Sequence, residues 1–141
     1  MRVAVPVNDK LFIYHNNPMS APIYAIYTIK GTHSELLTMS LDGFIVNTHM
    51  EKLESLICSC NKKVQDDQEH KIWHYSIVDL LQGCDYLLAD HYCKNTKRSL
   101  NIAGIKLYTI PRIIKQSELA VKNFIIGEHI AYNIQHIHYA S

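Results

Sequence analysis

No apolar run in the sequence approaches the ~20 residues needed to cross a bilayer. The opening stretch MRVAVPVNDK stops after five apolar residues at Asn8 and Asp9, too short for the apolar segment of a signal peptide. These absences predict a soluble, cytoplasmic protein with no membrane partner. Charge of one sign is missing too. Fourteen lysines and arginines nearly cancel thirteen acids, so no broad positive field is available to neutralise a phosphate backbone, and nucleic acid is not expected as a partner. The four cysteines include one C-x-C and no C-x-x-C, and no second pair completes a tetrahedral site. In a reducing compartment they are expected to be thiols rather than a disulfide framework. Phosphate-binding and serine-hydrolase motifs are absent, as are repeats and low-complexity segments.

What is present fits one core. At 141 residues and 48% hydrophobic composition, the chain is long enough for one domain and short for two. VAVPV at 3–7 is a continuous, β-branched apolar run, the pattern of an interior strand covered on both faces. PIYAIYTI at 22–29 is a second strand, reached through the polar loop 10–20. Residues 35–40 and 44–47 flank Asp42-Gly43, a dipeptide suited to a tight hairpin turn, which predicts strand, turn, strand. Thr48 and Glu51 form a capping box before Met50, Leu53 and Ile57, predicting a helix. The polar segment 61–70 reads either as an exposed helical extension or as a connection. Trp73, Ile77, Leu80 and Leu81 share a helical face that Gly83 ends.

DYLLA at 85–89 is the next strand. Asn95 or Thr96 can cap a short helix ending at Gly104, and IKLYTI forms a strand after it, completing a βαβ unit. Ser117 can cap a last helix through Leu119, Val121, Phe124 and Ile125, with Gly127 as its end signal and 128–141 as a tail. Early strands followed by alternating helices and strands predict an α/β domain, a mixed β-sheet flanked by helices. In such a sheet ligands gather outside the carboxyl ends of strands. The cluster Asp90, His91, Cys93 lies at one of those ends.

Imidazole and thiol are borderline and soft ligands, so His91-x-Cys93 suits iron, zinc or a cluster, and a complete site needs further ligands such as His15 or another thiol. The plainer alternative makes Cys93 a small buried residue at a helix start and His91 a solvated loop residue. A cysteine at a helix N-terminus also feels the positive end of the helix dipole, which favours thiolate and would suit a redox sensor. Cys58-x-Cys60 offers a weaker half-site, and residues two apart on a helix do not share a face.

Three pieces, RVAVPVND, APIYAIYTI and CDYLLADHYCKNTKRSLNIAGIKLYTI, resemble the dinitrogenase iron-molybdenum cofactor biosynthesis family of NifX- and NafY-like small carriers. The resemblance spans roughly residues 2–29 and 72–127. It implies a ribonuclease-H-like topology and a non-catalytic role in binding iron-molybdenum cofactor or an iron–sulfur precursor, with cofactor-assembly or acceptor proteins as partners. It makes His15 the counterpart of the family's loop histidine, with HNNPMS standing where the family has HFG. Only His15 comes from the resemblance; with the ligand chemistry and helix start of the second loop added, the candidate cofactor-binding set is His15, His91, Cys93 and Asn95, with His15, His91 and Cys93 as metal ligands and Cys58 and Cys60 as weaker candidates. A two-metal nuclease of the same topology would need several converging carboxylates, and the strands carry only Asp85 at an end. The alternative is a metal-free interaction module that dimerises or docks through an aromatic surface of Tyr24, Tyr27, Trp73, Tyr75, Tyr132 and Tyr139.

Overall fold

A computed structural model of the chain describes residues 1–9, 11–32, 37–49 and 75–140, with side chains described as far as residue 135. Five strands form one mixed sheet: β1 (Arg2–Val7), β2 (Ile23–Lys30), β3 (Thr38–Val46), β4 (Tyr86–Ala89) and β5 (Lys106–Thr109), in the order β3-β2-β1-β4-β5. The pairs β1·β2 and β2·β3 are antiparallel, whereas β1·β4 and β4·β5 are parallel. Among the described residues three α-helical stretches accompany the sheet: residues 75–80 (α1), Lys94–Ile102 (α2) and Ser117–Ala140 (α3).

The continuous apolar runs are explained by cover on both faces. Alternate side chains of one strand enter two separate cores, as the two-residue strand period requires. On one face Ala4, Tyr24, Ile26 and Leu87 pack with Ile77, Val78 and Leu81 of the α1 region and Leu100 of α2. On the other, Val3, Val5, Ala25, Tyr27, Ile29 and Leu88 pack with Ala120, Val121 and Phe124 of α3. The fold is α/β, as the sequence predicts. Positive φ angles at Gly83 (88°) and Gly104 (78°) close the α1 and α2 regions where the sequence placed their ends.

Three expectations are corrected. Asp42-Gly43 is not a hairpin turn, because β3 runs straight through it. Tyr27 pairs with Leu41 and Ile26 with Gly43, so Asp42 is the extra residue of a bulge, and its carboxylate accepts a hydrogen bond from the Thr28 hydroxyl. Gly127 does not end the last helix, which continues to Ala140. The glycine serves packing instead: a Cβ there would collide with the Tyr108 hydroxyl. Tyr24 and Tyr27 are not surface aromatics but are 0% and 3% exposed. Their hydroxyls bond the Pro18 carbonyl (2.8 Å) and Ser117 Oγ (2.7 Å). The capping box at Thr48–Glu51, the segment 61–70, Trp73 and the Cys58-x-Cys60 pair lie wholly or partly outside the described residues.

Candidate functional site

β1 and β4 are parallel neighbours, yet the chain leaves them in opposite directions across the sheet. β1 is flanked by β2 on its other side and β4 by β5. The crevice outside their carboxyl ends is therefore the switch point at which open α/β sheets bind ligands. Two loops meet there, residues 8–22 after β1 and residues 90–93 after β4.

The first loop is folded back on its own strand. Tyr14 N–H donates to the Pro6 carbonyl (3.0 Å) and Ile13 N–H to the Lys115 carbonyl (2.7 Å), while Asn8 N–H donates to Phe12 O (2.9 Å). Pro6 has no N–H to give, and its carbonyl supplies the anchor that turns the chain toward His15. Beyond His15, Asn17 caps a single 3-10 turn, Pro18–Ser20, by accepting from Met19 N–H (3.1 Å). Asn47 pins the same turn from β3's end: its Nδ2 donates to the Met19 and Ala21 carbonyls (3.1 and 2.9 Å).

In this setting His15 Nδ1 lies 2.6 Å from Asp90 Oδ2. The His15 side chain is 30% exposed and that of Asp90 only 1%. A carboxylate is acceptor-only, so Nδ1 carries the hydrogen, and in the neutral imidazole Nε2 is the ring's lone-pair nitrogen. Nε2 has no hydrogen-bond partner among the described residues. Asp90 Oδ1 is buried with no partner either. One carboxylate oxygen is thus buried without a partner beside the ring, where buried polar groups ordinarily find one, while Nε2 belongs to a ring that is partly open to solvent.

Cys93 is a small buried residue at the start of α2, where the plainer sequence reading puts it. It is itself the N-cap of α2, while Asn95 and Thr96, the two expected caps, are the helix's second and third residues and are buried. Thr96 N–H donates to Cys93 Sγ (3.3 Å), and Thr96 Oγ1 donates to Asn17 Oδ1 (3.0 Å) and lies 3.1 Å from the same sulfur. With the Thr96 hydroxyl hydrogen committed to Asn17, the Sγ–H is the donor to Thr96 Oγ1. Cys93 at 4% exposure and Thr96 at 0% join the helix start to the His15 loop. His91 is exposed on the surface of the second loop.

Of the sequence-derived set, the fold brings His15 to Asp90, links Cys93 to the His15 loop through Thr96, leaves His91 at the surface and buries Asn95. Cys58 and Cys60 fall outside the described residues. Among those residues, no three His, Cys, Asp or Glu side chains converge so as to hold a single metal ion. The sequence offered Asp90 as one member of a cluster, not as the partner of His15, and Thr96 as a possible helix cap, not as the partner of Asn17. Those contacts join residues 75 and 79 apart in the chain.

No protein-family model and no curated protein matches the chain. Among solved structures, it is similar to the NMR structure of a Thermotoga protein described as a candidate NifB protein of the DUF35 family. The two share 21% identity over 89% of this chain and 88% of the other, with a TM-score of 0.48.

Proposed function

We propose that the chain is a non-catalytic carrier that takes an iron-molybdenum or iron–sulfur cluster as cargo in nitrogenase-type metallocluster assembly, and that His15 is its ligand. The single observation carrying this reading is the short contact from His15 Nδ1 to a buried Asp90 at the strand-end crevice. A metal-binding histidine characteristically donates its other ring N–H to a carboxylate, which fixes the tautomer, holds the ring and raises the basicity of the ligating nitrogen. His15 Nε2 is in that state. A preassembled cluster brings its own sulfides and needs fewer protein ligands than a bare ion, in keeping with one histidine rather than a closed protein site.

The strand order β3-β2-β1-β4-β5, with β2 alone running against the rest, supports the ribonuclease-H-like topology implied by the resemblance to the NifX- and NafY-like carriers. No helix of the described residues is long and apolar enough to cross a membrane. Cys93 is assigned to holding the two loops together, because it is 4% exposed and ligation through Sγ would cost the hydrogen that its thiol donates to Thr96 Oγ1. His91, exposed one residue beyond Asp90, is the second ligand candidate. Acceptor or assembly proteins are the partners this reading requires.

The test is anaerobic. Untagged protein is incubated with iron and sulfide, with and without molybdate, freed of excess, and analysed for retained metal and visible charge-transfer absorption. Stoichiometric retention is expected for the wild-type chain, loss for His15→Ala, and about 10–100-fold weaker retention for Asp90→Ala, each with unchanged circular dichroism. Retention untouched by His15→Ala but abolished by Cys58→Ser/Cys60→Ser would move the site elsewhere. A colourless, metal-free wild-type protein would overturn the carrier reading.

A further inference from the structure

The last helix outruns the sheet it packs on. Among its described side chains the buried ones, Ser117, Ala120, Val121 and Phe124, all fall in its first eight residues. Phe124 stacks against Tyr86 at the start of β4, with ring centroids 4.8 Å apart. The helix has therefore reached the amino ends of the strands by that point. Twenty-four residues make a rod of about 36 Å, whereas the six residues of β1 span about 20 Å. From His129 to Gln135 every residue is exposed except Tyr132, which is partly covered.

This projecting half carries no charge that would suit it to water. HIAYNIQHIHYAS, residues 129–141, contains no Asp, Glu, Lys or Arg. An unpacked helix of that length is marginal in water, and helices that stand alone usually do so through charged pairs. Instead, one row of the helix is apolar and open: Leu119, Ile126, Ile130 and Ile134 are 48%, 59%, 52% and 61% exposed. Side chains four apart stack on one face, so the three isoleucines form a continuous ridge.

We propose that this ridge is closed by the same ridge of a second copy of the chain, the two α3 helices crossing antiparallel about a two-fold axis at Ile130. Three features favour a second copy over another occupant. The ridge is symmetric about Ile130, so an antiparallel copy sets Ile130 against Ile130 and Ile126 against Ile134, the self-complementarity that a two-fold contact requires. Glu128, two residues before Ile130, lies on the other side of the helix from the ridge, and Glu118 and Lys122 lie in the first turns, toward the partner's uncharged end, so no acid faces an acid. The apolar ridge leaves on the order of 400 Å² open, already the size of a typical monomer's largest patch, and the uncharged flanks extend it toward the ~800 Å² per partner of a standard interface. A membrane surface is the poorer fit, since helices lying at that interface carry Lys and Arg on their polar face.

In this dimer the His15 crevice, at the carboxyl ends of β1 and β4, stays open at the opposite end of the sheet. The proposal is therefore independent of the cargo reading. Its test is light scattering across protein concentration on the full chain, together with cysteine crosslinking. The wild-type mass is expected to rise toward twice 16.2 kDa, and Ile130→Glu, which sets two like charges at the axis, should hold the mass at that of one chain. Under mild oxidation Ile130→Cys should form a disulfide-linked dimer beyond the wild-type background, and Ile113→Cys, at an 83% exposed loop position, should not. A wild-type monomer at all concentrations would assign the ridge to a different partner and overturn the proposal. So would a dimer that persists in Ile130→Glu, or crosslinking no faster at 130 than at 113.

Discussion

Replacing Gly127 with alanine opposes two effects whose sizes can be compared. In a helix interior alanine is favoured over glycine by about 1 kcal/mol through backbone entropy. At this position, however, the new Cβ would collide with the Tyr108 hydroxyl, while its distances to the ring carbons Cζ and Cε2, 3.4 and 4.0 Å, are ordinary contacts. The ring cannot simply swing aside, because it stands edge-on to Phe124, with centroids 4.9 Å apart and planes at 88°. Forcing extra volume into such packing costs about 1–3 kcal/mol, so Gly127→Ala should destabilise by about 1 kcal/mol net. The obstruction is one oxygen atom, and Tyr108→Phe removes it. Its hydroxyl has no hydrogen-bond partner among the described residues, so Tyr108→Phe alone should change stability by no more than about 0.5 kcal/mol. In that background Gly127→Ala should become stabilising by about 1 kcal/mol. The coupling of about 2 kcal/mol is readable as urea midpoints by circular dichroism at one fixed protein concentration. A stabilising Gly127→Ala in the presence of Tyr108, or no coupling between the two changes, would refute the packing argument.

Two further perturbations test the scaffold of the crevice. Asn47→Ala leaves the Met19 and Ala21 carbonyls and the His49 N–H without their partner and should cost about 2–4 kcal/mol in urea unfolding. A loss below about 1 kcal/mol would mean that water replaces the amide there. Tyr24 is buried, and burial foremost, then the neighbouring Tyr14, pushes its phenol well above the usual value near 10. Below that value both folded and unfolded states hold the proton and nothing is lost. Above it only the unfolded chain ionises, so stability should fall by about 1.4 kcal/mol per pH unit from this group. Tyr24→Phe should flatten that alkaline decline, and an unchanged slope would rule out Tyr24 as its source.

The α/β class and four of the five strands were legible because they depend on local pattern. Strands buried on both faces read as unbroken apolar runs in VAVPV and YLLA, and Gly83 and Gly104 marked helix ends through backbone conformations that favour glycine. The errors have one physical cause. Asp42-Gly43 is turn chemistry in isolation, but cross-strand pairing along β2 absorbed it as a bulge. Gly127 is a stop signal in isolation, but the Tyr108 side chain made it a packing necessity within a continuing helix. Local preferences of about 1 kcal/mol yield to tertiary contacts of similar or greater size.

The candidate site divides along the same line. From sequence come the residue types and their address: a histidine in the loop after the first strand, and an acid, an imidazole and a thiol at the end of another. That β1 and β4 lie side by side and parallel, so that His15 meets Asp90, was decided by the packing of the two cores. The same packing made Cys93 a helix cap tied through Thr96 to Asn17. Such pairings carry no trace in local pattern, since nothing about His15 or its neighbours depends on Asp90 until the sheet has closed.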